Sequence, residues 1–324
     1  GYQPGAVVTT GINNSFFGYR AGTSVTTGSN NTSIGHSSLY FNTSGRFNMA
    51  SGSFALYTNS TGSNNTASGA NALRYNTVGV DNTAAGYQSL YRNVGGNYNT
   101  AYGVNSLYSN TAGNNNVSIG HQSMYFNISG VNNTALGLAA LFYNTTGNEN
   151  VAIGFRAFSR NQLLNNVVAI GDSALALNNT GVHNTAVGSK AGAHTDEGRE
   201  NTYLGYQAGY SNTDGRGNTA SGSKALYRSW GGNANSAFGT EALYNNGYGA
   251  ANVALGHSTL YDNNNGLANT AVGQQALRNN IDGNFNTGIG SNAGWDFNGH
   301  YNTFIGSFSD ANADGYERST ALGV

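Results

Sequence analysis

The chain of 324 residues has no cysteine, one proline and few charges: 13 Lys plus Arg against 14 Asp plus Glu. Each scarcity excludes something. Without cysteine there are no disulfides and no thiolate metal sites, which fits a reducing compartment or a secreted bacterial or viral protein. A net charge of −1 with no basic run argues against nucleic acid as a partner, because phosphates demand clustered Lys and Arg. No apolar run approaches the roughly 18 residues that span a bilayer. The chain starts without an initiator Met or a signal-peptide pattern.

Glycine is abundant, with 48 residues, and it is regularly placed. From Gly18 a comb of period 17 runs through Gly35, Gly52, Gly69, Gly86 and Gly103 to Gly290. One residue is then lost, and the comb resumes at Gly306 and Gly323, with Gly1 also in phase. A fixed period of this size is the signature of a solenoid, in which each rung stacks on the last. The sequence therefore predicts a β-solenoid or β-roll of 17-residue rungs, one domain over 1–324 with about 19 rungs. Both ends sit on the repeat phase with no distinct cap, so the expectation is a segment of a longer or processed chain. Irregular rungs are expected near 160–168 and 295–318. A disordered linker would not keep 21 Tyr, 14 Phe and the apolar columns in register.

With the comb glycine as position zero, position −4 is Asn (Asn31, Asn65, Asn82) and fails only at Val167 and Ser319. Positions −3 to −1 read Thr or Val, then Ala or Ser, then often Ile, Leu or Val, which is a short β-strand. After the glycine, small residues at +3, Leu at +4 and Asn at +7 (Asn42, Asn59) fall at helical spacing. The expectation is a single helical turn or a compact bend, with a second strand as the competing reading. A second glycine at +10 marks a site of positive φ or close approach between rungs. The Asn columns read as ladders that satisfy backbone groups in tight bends, and the Asn-x-Thr acceptor pattern for sugar attachment as a by-product of the repeat.

Position −2 is bulky only at Phe16, Tyr203 and Phe304, and glycine replaces Leu at +4 of the rungs holding Phe16 (Gly22) and Tyr203 (Gly209), and at Gly192. This exchange of volume predicts that −2 and +4 touch in the rung interior, with Gly294, whose own −2 partner is Gly288, as the exception. The residues at −1 and −3 then face outward as an apolar stripe of a size that monomers avoid. The expectation is an oligomer, a homotrimer whose strands line a common axis. If the faces are reversed, Ala lines the seam instead.

The repeat Asn-Thr-Ala-x-Gly-x-x-Ala-Leu-x-x-Asn-Thr-x-Gly, clear at 65–79, 133–147 and 269–283, resembles those of phage tail-fibre proteins and, more loosely, the β-roll heads of trimeric autotransporter adhesins. The resemblance covers essentially the whole chain. It implies a trimeric virion or cell-surface appendage, extracellular in location, that reaches toward a host surface.

No constellation for enzymatic chemistry is visible, and no cofactor is expected. His36, His121 and His257 share position +1 but lie several rungs apart. The densest charge cluster, His194, Asp196, Glu197, Arg199 and Glu200, reads as a solvated turn. The +5 tyrosines, Tyr40, Tyr57, Tyr91, Tyr108 and Tyr125, are a candidate surface aromatic column that either packs between rungs or stacks on sugar. The leading functional reading is a structural shaft or adhesin stalk; about 19 rungs at about 4.8 Å give on the order of 90 Å of reach. A head-to-tail filament subunit and a carbohydrate-binding rod are the alternatives, and the expected partners are further copies of the chain and a host glycan or protein.

Overall fold

The computed structural model describes residues 4, 5, 7–310 and 317–323. The chain divides into two compact units, 1–165 and 166–324. Each is a parallel β-solenoid with one three-residue strand ending just before each comb glycine. In the first unit these strands run from Ser15–Phe17 to Val151–Ile153, and in the second from Val168–Ile170 to Thr320–Leu322. Pairing is parallel and follows the comb: Thr66, Ala67 and Ser68 lie beside Thr83, Ala84 and Ala85. The shortened rung is absorbed without loss of register, since Thr287 still pairs with Thr303.

The strand is three residues long because the comb glycine ends it. Gly120 has φ +137, a conformation essentially reserved for glycine, and a Cβ there would lie 2.5 Å from the carbonyl oxygen of Gly137. Strand side chains alternate as the pleat requires. Position −2 is sealed inside, as at Ala67, Ala101 and Ala135, and −1 and −3 face outward.

The segment after the glycine corrects one expectation: no helix forms among the described residues, and the +3, +4, +7 spacing has another cause. Positions +2 and +4 adopt left-handed backbone, as at Asn71 (φ +60) and Leu73 (φ +50). Two successive tight turns follow, closed by Ala72 N–H to Gly69 O at 3.2 Å and Asn76 N–H to Leu73 O at 3.1 Å. Reversal of the backbone at alternate residues turns Ala72, Leu73 and Asn76 inward together, and all three are fully buried. Bonds between rungs continue around this bend, with Leu73 N–H donating to Ser89 O at 3.0 Å. The left-handed conformation costs a non-glycine residue about 1–2 kcal/mol. Burial of a leucine side chain returns a comparable amount, about 1.5–3 kcal/mol.

Two asparagine ladders run through the rungs. In the −4 ladder, Asn99 donates its side-chain amide to Asn82 Oδ1 at 3.1 Å and to Gly113 O at 2.8 Å. Its own Oδ1 accepts the Asn116 backbone N–H and side-chain amide, both at 3.1 Å. In the +7 ladder, Asn110 donates to Asn93 Oδ1 at 2.8 Å and also to Gly113 O at 3.1 Å. The carbonyl of the +10 glycine is thus where the two ladders meet. This glycine is required for close approach and not for positive φ: a Cβ on Gly113 would lie 2.3 Å from Asn110 Oδ1. Asn99→Ala leaves the Asn116 amide and one lone pair of Gly113 O unmatched in a buried site. The expected loss is about 2–4 kcal/mol, read as a lower urea midpoint, and Asn99→Asp should lose at least as much at neutral pH, because a carboxylate oxygen would face the acceptors Asn82 Oδ1 and Gly113 O in a buried site.

The boundary between the two units falls at the irregular rung. Leu164 takes the place of the +10 glycine; the Asn161 amide keeps its ladder bond to Asn144 Oδ1 at 3.1 Å, and its Oδ1 accepts from Leu163 N at 3.1 Å and Leu164 N at 2.8 Å. The Leu164 carbonyl still receives the Asn150 amide at 2.8 Å. Leu164 is half-buried, whereas Leu163 is 63% exposed. Val167 fills the −4 position and is fully buried. Of the other irregular stretch, residues 311–316 lie outside the described residues.

Candidate functional surfaces

The volume exchange read from the sequence is a contact. Tyr203 and Phe304 are fully buried. A Cβ on Gly209 would meet the Tyr203 ring at 2.1 Å, one on Gly192 at 2.7 Å, and one on Gly22 would meet Phe16 at 2.6 Å. Gly294 is not an exception: it makes room for Phe304 of the following rung, 2.7 Å from a Cβ placed there. Each aromatic therefore occupies space from its own rung, the one before it, or both. In the 16-residue rung Phe297 stands where the +7 ladder has Asn and packs edge-on against Phe304 at 5.0 Å.

Because −2 is interior, the outward face of each unit carries apolar side chains. In the first unit Tyr102, Val104, Ile119, Leu136, Leu138 and Phe155 are all exposed on consecutive rungs. In the second unit Leu204, Tyr206, Phe238, Leu255, Ile289 and Ile305 are exposed, with Ser221 interrupting the strand column.

The ladder residues Gly35, Gly52, Gly69, Gly86, Gly103, Asn31, Asn65, Asn82, Asn42 and Asn59 build the rung interior or its backbone. Glycine carbonyls and amides face one another there, and the Asn side chains are fully buried. The tyrosine column is half-buried and self-stacked. Tyr91, Tyr108 and Tyr125 lie parallel at 5.0 and 4.9 Å with interplanar angles of 9° and 1°. Tyr40 and Tyr57 stack at 5.4 Å, and Arg74 continues their column with its guanidinium 5.6 Å from the Tyr57 ring centre. In such a stack each ring face is covered by the next rung, and ring edges point outward. The sugar-facing surface of this column is therefore small.

The histidines do not gather. His36 stacks on Tyr19 at 5.4 Å, the His194 ring contacts the Tyr210 hydroxyl at 3.1 Å, and His300 Nδ1 accepts the Asn284 N–H at 3.0 Å. Among the described residues no three His, Asp or Glu side chains are placed to hold a metal ion. In the acidic turn, Asp196 accepts the exposed Asn179 amide at 2.6 Å.

One corner of the second unit departs from the repeat in a way that the comb and ladders do not reveal. At +8 several rungs carry Thr or Ser, whose hydroxyl bonds the next rung, as Thr43 does to Ser60 O at 3.0 Å, and others carry residues such as Val94, Ile128 and Asp196. Three consecutive rungs here carry Trp230, Gly247 and Asn264. Beside them the +6 positions Arg228, Asn245 and Asp262 form a second short parallel ladder. Asn246 N–H donates to Arg228 O at 2.8 Å, in place of the second tight turn of ordinary rungs. A recess of about 300 Å³ lies at this corner, lined by Arg228, Trp230, Asn245, Gly247, Asp262, Asn264 and Ile281. Its signal in the sequence is Trp230 itself, the bulkiest side chain in the +8 column, next to Ser229 at +7.

No protein-family model matches the chain, and no curated protein matches it.

Proposed function

We propose that the chain is a non-enzymatic shaft or adhesin stalk of a virion or cell-surface appendage, working as a homotrimer whose outward strand faces meet. One observation carries this reading. Position −2 is sealed inside every regular rung, so Tyr102, Ile119 and Leu136, and Leu204 and Leu255, are left facing outward on a sheet with few charges. The occupant that fits this face is another copy of the chain, because only a surface of the same rung pitch presents a matching apolar residue at every step. Rungs stacked in register, joined by backbone bonds and two amide ladders, supply the stiffness that such a role needs.

Multi-angle light scattering together with electron microscopy tests the reading. The expected species has three times the mass of one chain and a three-fold cross-section. The double change Ile119→Glu with Leu136→Glu should convert it to monomers with unchanged circular dichroism. A monomer that stays soluble when concentrated overturns the proposal, and continuous fibres would assign the face to head-to-tail filament formation instead.

A further inference from the structure

We propose that the recess at Trp230 is a binding site for a neutral carbohydrate, a role distinct from assembly through the strand face. Three features of the corner converge on this ligand class. First, the Trp230 indole is half exposed and, unlike the column tyrosines, is not stacked between parallel rings. Its ring contact is edge-on to Tyr248 at 6.0 Å, and the next rung presents only Gly247 at the same position. An open aromatic face with its negative quadrupole attracts the partly positive C–H groups on the apolar face of a sugar ring.

Second, the wall beside the indole is a row of planar polar groups at rung spacing: Arg228, Asn245 and Asp262, with Asn264 below. The row is pre-oriented, since the Asn245 amide donates to Asp262 Oδ1 at 2.6 Å and the strand-like bridges fix its backbone. Sugar hydroxyls donate and accept at once, and guanidinium, amide and carboxylate groups offer paired donors and acceptors to adjacent hydroxyls. Third, the charge is balanced. Arg228 is offset by Asp262, so a phosphate or sulfate gains little, whereas an uncharged polyol can use both groups. A volume of about 300 Å³ stands at the small end of ligand pockets.

The recess is also built at a cost to the repeat. Ser229 replaces the +7 ladder Asn, and its buried hydroxyl has no hydrogen-bond partner. The second tight turn is also given up here, with Asn246 N–H and Asn263 N–H bonding Arg228 O and Asn245 O of the preceding rungs instead. Departures from the repeat that expose an indole and align three polar side chains are what a site on a solenoid requires.

The test uses the full chain with Trp295→Phe, which leaves Trp230 as the single indole. Its emission is titrated with maltohexaose, cellohexaose and chitohexaose, and binding is repeated by calorimetry. The expected result is a saturable shift with at least one of the three. In the unaltered chain, Trp230→Ala and Asn245→Ala should each weaken that binding at least tenfold while the melting curve stays in place. Failure of all three oligosaccharides to produce a saturable change overturns the proposal. So does binding that survives Trp230→Ala undiminished. Binding of dextran sulfate alone, abolished by salt, would reassign the recess to anions and overturn it equally. Because these readouts follow Trp230 and not the mass of the assembly, they succeed or fail independently of the trimer.

Discussion

Gly120→Ala is expected to lose at least about 3 kcal/mol of stability and to melt the rungs around it, whereas Gly217→Ala should change stability by no more than about 1 kcal/mol. Both glycines have positive φ, +137 and +63, and the contrast lies in what surrounds them. At Gly120 the backbone is in a region that L-residues avoid, and the new Cβ would stand 2.5 Å from Gly137 O and 2.7 Å from Gly137 C. Both obstacles are backbone atoms of the next rung, so relief requires the rungs to part and their hydrogen bonds to lengthen. At Gly217 a Cβ meets nothing within 4 Å, and equivalent −5 positions hold Asn115, Glu149 and Ala234 at φ between +55 and +59. Circular dichroism melts of the two variants check the pair. Equal losses would mean that glycine is used for its conformation alone and not for the approach of rungs.

The second large effect is expected at Tyr203. Tyr203→Ala should cost about 2–4 kcal/mol, because the ring fills space vacated by Leu at both Gly192 and Gly209 and no neighbour can collapse into it. Gly209→Leu alone should also destabilise, since its Cβ would fall 2.1 Å from the ring. The double change should recover part of the loss. Leu226 and Leu243 occupy the same position at φ +51, close to the +61 of Gly209, so the backbone admits Leu, but the gap at Gly192 stays empty. A double-mutant cycle with a coupling energy near zero would remove the claim that the two positions share one volume. The hydroxyl adds a pH dependence. Burial pushes Tyr203 above its ordinary value of 10, with the Asn212 amide donating to the hydroxyl at 2.5 Å. The folded state therefore favours the neutral phenol. Its contribution is complete below pH 10 and is lost as the pH rises beyond that value toward the higher folded-state pKa. Tyr203→Phe should flatten this alkaline fall in stability, as measured by urea unfolding between pH 9 and 11.

Sequence alone determined the repeat and the interior. In a solenoid, residues one period apart in the chain are neighbours in space, so a column of letters is a column of atoms. The comb from Gly18, the Asn ladders through Asn65 and Asn59, and the exchange of Tyr203 for Gly209 were legible for that reason. The tertiary structure decided what depends on backbone handedness and on individual neighbours. Leu73, Asn71 and Ser37 all take left-handed φ, although nothing in a leucine or serine marks it. The spacing at +3, +4 and +7 therefore resembled a helix, while the physical cause was two reversed turns that point consecutive side chains inward. Phe304 filling the gap at Gly294 is a single contact set by the rung next door, and the Leu163 and Leu164 N–H groups bonded to Asn161 Oδ1 are contacts within one rung. The Trp230 recess belongs with them. Its residues are ordinary in type, and only the parallel bridges that align Arg228, Asn245 and Asp262 bring them to one opening.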